Sequence, residues 1–293
     1  MPELRRPIEP PARPDIENVV LPPLPNDMPV ARELPLWRRV LDHAPVRRLL
    51  VVIAFAAIWE AYGRYLNDPL LVPTFSQTLG ALVDSCLSGE LPARVWSSLR
   101  VLASGYALGV ACAAVLTTLA VTVPGGGDVL GTMTVMFNPL PAIALLPLAL
   151  IWFGIGNFSL VFVITHSVLW AVALNTHTGF LAVPQTQRMA GRNLGLHGVG
   201  LVAHILVPSA VPSILTGLRI GWAFAWRTLI AAELVFGVSS HSGGLGWFIY
   251  QSRAEMDTAN VFAGLMTIIL IGLFFEGVVF RTAENLTVRR WGM

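Results

Sequence analysis

Long apolar runs separated by short polar segments dominate the chain from Val46 onward. A membrane-spanning helix needs about 20 mostly apolar residues, because each residue adds about 1.5 Å along the helix axis. Six runs satisfy this requirement, and an even number of spans places both termini on the same side of the membrane. The pattern predicts an all-α polytopic membrane protein with six transmembrane helices, over residues 46–66, 95–123, 129–153, 158–178, 214–238 and 261–281.

Residues 1–45 have a different pattern, with 11 of the 21 prolines and little periodicity. A Pro-rich polar segment cannot bury enough apolar surface to fold. We therefore predict a disordered, cytosolic tail over 1–45 and a transmembrane domain over 46–293. The tail lacks the basic start and immediate apolar run of a secretory signal peptide, so we expect it to remain in the mature protein.

Arginines are distributed unevenly between the two sides of the predicted spans. The side opposite the tail holds mainly Arg64, Arg94 and Arg253. Cytoplasmic loops carry an excess of basic residues, which predicts cytoplasmic termini and a cytoplasmic loop over 179–213, with the loops 67–93 and 239–258 outside. The tail side collects Arg38, Arg39, Arg47, Arg48, Arg188, Arg192, Arg281, Arg289 and Arg290.

The composition agrees with a membrane protein and excludes one kind of energy source. Hydrophobic residues make up 55% of the 293 residues and charged residues 12%, against about 25% charged in soluble domains. All 19 basic residues are arginine. A standard ATP-hydrolysing P-loop needs a lysine, so the chain cannot carry one.

Residues that bind metals or catalyse reactions are scattered. Cys86 and Cys112 fit neither a disulfide framework nor a metal cluster. A lone membrane histidine such as His166 is more often part of hydrogen-bonded packing than a ligand. The sequence predicts no catalytic residues, no metal site, no cofactor and no nucleic-acid partner; the remaining histidines, also without metal spacing, are His43, His177, His197, His204 and His241.

Two features within the spans could serve transport. Pro139, Pro141 and Pro147 interrupt the third span, and proline removes a helical hydrogen bond. They indicate either a packing kink or a bent helix that lines a pathway. Arg227 and Glu233 lie deeper in a span than the other ionisable residues, and charges at membrane depth are costly and favour a functional role.

The predicted cytoplasmic segment 183–208 contains a short helix after Pro184. Arg188 and Arg192 are four residues apart and would form one basic edge, and Gly195 would end the helix. The segment is either a solvated connecting loop or a docking element for a cytosolic partner.

At this segment the sequence resembles binding-protein-dependent ABC importer permeases, whose signature is Glu-Ala-Ala, three residues, Gly, nine residues, then Ile-x-Leu-Pro. Met189-Ala190-Gly191, Gly195 and Ile205-Leu206-Val207-Pro208 keep this spacing, with Met189, Gly191 and Val207 departing from the usual residues. Other parts of the sequence resemble the nitrate/sulfonate/taurine branch of these permeases. They are Leu71-Val72-Pro73, Pro139-x-Pro141 with Pro147, Trp152-Phe153-Gly154-x-Gly156, Asn175-Thr176, Gly179, 215–219, 231–234, Gly244-Leu245-Gly246 and Arg290-Trp291.

The resemblance implies a permease subunit that imports a small sulfonate-, taurine- or nitrate-like solute across the inner membrane. Its partners would be cytosolic ABC ATPase subunits, an extracytoplasmic solute-binding protein and a second permease copy, in a homodimer within the lipid bilayer. A coupling helix at about 186–200 would contact the ATPase through Arg188, Met189, Ala190, Gly191, Arg192, Gly195, Ile205 and Pro208. Candidate pathway residues are Pro139, Pro147, Asn175, Arg227 and Glu233.

Two other classes remain open on the sequence alone. An ion-gradient-driven secondary transporter or channel could use Arg227 and Glu233 as an ion relay. The absence of an evident inverted repeat argues mildly against a secondary transporter. A membrane-embedded enzyme is disfavoured, because Asp, His and Cys do not cluster at membrane depth.

Overall fold

The computed structural model describes residues 43–236 and 243–290. These residues are helical without a β-strand, as the sequence predicts for an all-α protein. The tail up to residue 42, the end of the fifth predicted span at Val238, His241 and Trp291 lie outside the described residues. The helices are α1 (Ala44–Leu66), α2 (Phe75–Leu87), α3 (Glu90–Thr122), α4 (Gly126–Phe137), α5 (Leu146–Phe153), α6 (Asn157–Ala182), α7 (Gln185–Asn193), α8 (Gly198–Ser209), α9 (Val211–Phe236), α10 (Leu245–Ala254) and α11 (Thr258–Val288).

By its contacts the chain divides into residues 1–53 and residues 54–293. The described part of the first unit is His43 and the beginning of α1. All packing discussed below concerns the second unit.

Four helices, α1, α3, α6 and α11, are long and apolar enough to cross a membrane. The number of possible spans rises to six if each of two bent helix pairs crosses the membrane once. The helices α4 and α5 meet at an angle of 86°, and α8 and α9 meet at 81°. The third predicted span is therefore not one straight helix, and the fifth begins immediately after a sharp bend.

Prolines explain why the third span breaks where it does. Pro139 and Pro141 have no N–H to donate, so regular helix hydrogen bonding cannot continue through residues 138–141. The chain instead closes tight turns, from Leu140 N to the Phe137 carbonyl (3.1 Å) and from Ala144 N to the Pro141 carbonyl (2.9 Å). Pro147 has a different role, because it lies in the first turn of α5, where a missing N–H costs little.

Close helix packing at glycines forms the core of the bundle, which consists of α3, α6 and α9. A Cβ added at Gly105 or Gly109 of α3 would lie 2.7 Å from Ile164 or Val168 of α6. Gly217 of α9 contacts α6 in the same way. Small residues allow backbones to approach in membranes, where van der Waals packing drives helix association.

Replacing Gly109 with leucine should therefore force α3 away from α6. We expect a loss of folded protein and a thermal midpoint lower by about 10 °C in detergent, because overpacking costs about 1–3 kcal/mol or more. The matched control is Gly272→Leu in α11, since no atom lies within 4 Å of an added Cβ there. Equal midpoints for both variants in a thermal-melting assay would contradict the packing.

Helices α1, α2 and α11 contact one another near one end of α1. Trp59 of α1 contacts Phe75 and Phe262, with ring centroids 5.5 Å apart in both pairs. Its indole N–H donates to the Pro73 carbonyl at 3.0 Å. Glu60 accepts hydrogen bonds from the backbone N–H and the hydroxyl of Ser76 at the start of α2. These contacts hold α2 and α11 beside α1.

Candidate functional site: a protruding helix pair and a cavity at the helix bend

The segment predicted as a coupling helix over about 186–200 contains two helices. The first, α7, begins directly after Pro184 and ends at Asn193. Gly195 follows with φ of +82°, a left-handed conformation that favours glycine. The second helix, α8, begins at Gly198. Gly195 thus lies in the turn that ends α7, as its position in the sequence indicated.

Gly191 and Ile205, both predicted as coupling residues, come into contact in this helix pair. A Cβ added at Gly191 would lie 2.9 Å from Ile205 Cγ1 and 2.9 Å from Leu201 Cδ1. Ser209 donates to the side-chain oxygen of Gln187 at 2.9 Å, which joins the end of α8 to α7. Glycine at 191 therefore sets the distance between the two helices.

The outer surface of the helix pair is apolar as well as basic. The side chains of Met189, Leu194 and Val199 are 52%, 80% and 66% exposed. Ala190 and Arg192 are also exposed. We call Met189, Leu194 and Val199 the apolar surface of the helix pair.

The two arginines of the predicted basic edge have different surroundings. Arg188 is half-buried, and its guanidinium donates to the Phe180 carbonyl near the end of α6. The last carbonyls of a helix carry partial negative charge and attract a cation. Arg188 thus attaches α7 to α6, whereas Arg192 stays on the surface. Pro208 lies in the final turn of α8, just before the bend into α9.

A cavity of about 350 Å³ lies beside the bend between α4 and α5. Two of the predicted pathway residues, Pro139 and Arg227, line it. No carboxylate does so among the described residues. The lining consists of Phe137, Asn138, Pro139, Leu140, Pro141, Ala142, Ile143, His166, Ser167, Trp170, Phe224, Arg227, Thr228 and Ala231.

Arg227 is the cationic group of this cavity. Its Nε donates to the Ala223 carbonyl at 3.1 Å, and its guanidinium carbon lies 5.4 Å from the centre of the Phe224 ring. Neither contact neutralises the charge, and Arg227 forms no ion pair within the described part of the chain. An arginine at membrane depth is costly and favours a functional role.

His166 and Trp170 also line this cavity. Both ring nitrogens of His166 and the indole nitrogen of Trp170 are buried and have no hydrogen-bond partner among the described residues. Trp170 is 6% exposed and stacks on Phe137, with ring centroids 5.3 Å apart. Sequence reasoning missed both as site residues, because neither belongs to a motif; the signal available was a histidine one helical turn from a tryptophan in an apolar span.

Glu233, another predicted pathway residue, is placed away from the cavity. Its side chain is 2% exposed and lies between α3, α9 and α10. The Ser98 hydroxyl bonds to its carboxylate at 2.8 Å, and the Gly246 N–H donates to it at 2.7 Å. The Leu245 N–H donates to the Ser98 hydroxyl at 2.8 Å. Glu233 and Ser98 therefore accept hydrogen bonds from the first two backbone N–H groups of α10, those of Gly246 and Leu245.

The other two predicted pathway residues also lie outside the cavity lining. The Asn175 amide donates to the Ala171 carbonyl in its own helix at 2.8 Å, and its Cβ packs against Gly217. Pro147 lies in the first turn of α5. The structure thus brings Pro139 and Arg227 together and separates them from Pro147, Asn175 and Glu233.

Charges at the ends of spans pair with one another. Arg219 of α9 forms an ion pair with Glu276 of α11. Arg64 pairs with Glu60 one turn earlier, at 2.7 Å. Within the described ranges, no three His, Cys, Asp or Glu side chains come together as a metal-ligand set.

Comparison of the sequence with known proteins identifies the family of this chain. Residues 105–285 match the family described as the inner membrane component of binding-protein-dependent transport systems. That range covers most of the chain and includes both the helix pair and the cavity. The chain belongs to this family.

Similar proteins extend the match beyond that range. The permease is 32% identical over 223 residues to a putative ABC transporter permease of Methanocaldococcus jannaschii, covering 75% of this chain and 82% of the relative. It is 31% identical over 247 residues to the taurine transport system permease TauC of Escherichia coli, covering 82% and 88%. It is 26% identical over 238 residues to the nitrate import permease NrtB of Synechocystis, covering 79% and 85%. The resemblance to ABC importer permeases is confirmed.

Proposed function

We propose that this permease imports a small solute of the sulfonate, taurine or nitrate type across the inner membrane, with ATP hydrolysed by a separate subunit. Two of its relatives supply the substrate types, since one is named a taurine permease and another a nitrate permease. The family description supplies the dependence on a binding protein. A chain without lysine fits a division of labour in which the ATPase is a partner.

The observation that carries the energy-coupling part of this proposal is the apolar surface of the helix pair. Leu194 is 80% exposed and lies in the turn between α7 and α8, outside the candidate membrane spans. Large apolar side chains in a water-exposed position indicate a protein contact. We assign this contact to the ATPase subunit, with Met189, Ala190, Gly191, Arg192 and Gly195 at or near it.

The helix pair would transmit motion through its attachments to the spans. Arg188 joins α7 to the end of α6, while Ile205 and Pro208 belong to α8, which leads directly into α9. A displacement of the pair by a partner would thus act on two core helices. In this arrangement the termini are cytoplasmic, the binding protein docks on the opposite side, and a second permease copy completes the pathway.

Replacing Leu194 with aspartate tests the assignment. We expect the variant permease, co-expressed with its candidate ATPase subunit, to lose most co-purification, because a charge would replace a buried apolar contact. Folding should be unaffected, since the side chain is exposed within the chain. The measurements are the ratio of ATPase to permease after affinity purification and ATP hydrolysis in proteoliposomes.

The matched control is Leu87→Asp at the end of α2. Leu87 is 81% exposed, and because three predicted spans separate it from Leu194, we expect it on the opposite side of the membrane. It should leave ATPase binding unchanged. If Leu194→Asp and Leu87→Asp bind the ATPase equally well, the helix pair is not the coupling surface.

A further inference from the structure

We propose that α2 is an interfacial helix, which lies along the membrane surface and inserts Leu79, Val83 and Leu87 among the lipids of the adjacent leaflet. We call these three residues the apolar stripe of α2. The partner of this surface is the lipid bilayer. The proposal is independent of the transported solute and of the energy source, and it concerns a helix outside the candidate spans.

Helix α2 is attached at both ends to helices that can cross the membrane. At its start, Glu60 of α1 accepts hydrogen bonds from the backbone N–H and the hydroxyl of Ser76. At its end, only Ser88 and Gly89 separate it from α3. With 13 residues it is shorter than the about 20 residues that a span needs. Helix α2 therefore joins two candidate spans at one membrane surface.

The direction of α2 follows from two contacts near the start of α11. Phe75, the first residue of α2, and Phe262 of α11 both pack on Trp59, with ring centroids 5.5 Å apart in each pair. Ten residues after Phe75, the Ser85 hydroxyl donates to the side-chain oxygen of Asn260 at 2.9 Å. Between these contacts α2 advances about 15 Å but α11 only about 3 Å, at about 1.5 Å per residue. Helix α2 therefore crosses α11, a candidate span, and lies along the membrane surface.

Exposed tyrosines mark the same level as the membrane–water interface. Tyr62 and Tyr65 of α1 are exposed and lie within two helical turns of Trp59, against which α2 begins. Tyrosine is enriched at this interface, because its ring is apolar and its hydroxyl is polar. The start of α2 is thus at the depth where the lipid head groups meet the acyl chains.

Two other sides of α2 have an identified environment. Thr78 and Ser85 are buried against the rest of the chain. Gln77 and Asp84 line an open groove together with Asp257, which immediately precedes the first residue of α11. Because Asp257 is beyond the end of that candidate span, the groove is on the water side of α2.

The apolar stripe faces away from this groove. Leu79, Val83 and Leu87 are four residues apart, so they lie on one side of the helix, and their side chains are 43%, 47% and 81% exposed. At about 100° per residue, Val83 points about 100° and Leu79 about 140° away from Asp84. With the groove toward water, the stripe points toward the membrane. An amphipathic helix in this position buries its apolar side at the boundary of head groups and acyl chains.

The test uses single cysteines, labelled with an environment-sensitive fluorophore, in the full-length permease. Cys86 and Cys112 are first replaced by serine. Val83→Cys reports on the apolar stripe, and the adjacent Asp84→Cys is the matched control on the groove side. In phosphatidylcholine nanodiscs, bromines on the lipid acyl chains should quench the label at residue 83 several-fold more than the label at residue 84. Iodide in the water should quench the label at residue 84 more strongly.

Leu87→Cys repeats the measurement at the most exposed residue of the stripe, and decides the question if Val83→Cys does not fold. Equal quenching by the brominated lipid at the stripe and at residue 84 would overturn the proposal. So would a stripe label protected from both the lipid bromines and iodide, because a protein partner would then cover the stripe.

Discussion

Replacing Glu233 with alanine is expected to cause one of the largest losses of stability of any single substitution in this permease. Removal of the carboxylate leaves the Ser98 hydroxyl and the Gly246 N–H without their acceptor in a buried position. Each unsatisfied buried group costs about 1–3 kcal/mol. The free energy of unfolding should fall by a comparable amount.

The thermal midpoint of purified protein in detergent measures this effect. We expect a decrease of about 10 °C or more for Glu233→Ala. Glu276→Ala is the matched control, because Glu276 is half exposed and its pair with Arg219 should contribute about 0–1 kcal/mol. A Glu233→Ala variant that melts with the wild type, or at the same temperature as Glu276→Ala, would show that the network does not hold α10.

Replacing Gly191 with valine is expected to uncouple ATP hydrolysis from transport. The added side chain would meet Ile205 and Leu201 within 2.9 Å, so α7 must move away from α8. Because the helix pair is attached to α6 and continues into α9, this displacement changes the position of the ATPase contact relative to the spans. Substrate uptake per ATP hydrolysed should fall by about tenfold, as misplacement by about 1 Å can cost about 10²-fold in rate.

The matched control is Gly200→Val in α8. A Cβ at residue 200 approaches only Leu196, at 3.9 Å, so valine fits there without displacing α7. Both variants should be assayed for uptake and for ATP hydrolysis in proteoliposomes that contain the ATPase subunit. If Gly191→Val couples the two activities as well as Gly200→Val does, the spacing of α7 and α8 does not matter for transport.

The positions of the long helices follow from the sequence because each span must satisfy its own backbone within lipid. Apolar length alone therefore predicts most of α1, α3, α6, α9 and α11. The break in the third span was visible as three prolines, but their separate roles were not. Pro139 and Pro141 interrupt hydrogen bonding, whereas Pro147 starts the next helix. The role of Pro147 differs from that of Pro139 and Pro141 because α5 begins at Leu146, and the spacing of the prolines does not reveal where that helix begins.

The roles of charged residues in the spans were harder to predict. Arg219, Trp226 and Glu233 are seven residues apart and so lie on one stripe of α9, but a long helix has different neighbours at its two ends. Arg219 reaches Glu276, whereas Glu233 is enclosed by α3 and α10. Arg227 is the next residue after Trp226 and so points about 100° away from the stripe. Only tertiary packing shows that this direction leads to the cavity.

The end of α7 could be predicted because its signal is local: Gly195 follows a short helical segment, and the structure has the turn there. The coupling role of this segment stays a prediction. The contact between Gly191 and Ile205, and the attachment of Arg188 to α6, required the three-dimensional path of the chain.

The hydrogen bonds around Glu233 also divide the molecule mechanically. They join the start of α10 to α3 and α9 in a buried place, and glycine contacts join α3 and α9 to α6. Sliding any of these four helices past another would break buried hydrogen bonds or close packing. They should therefore move together as one rigid unit when the permease changes conformation.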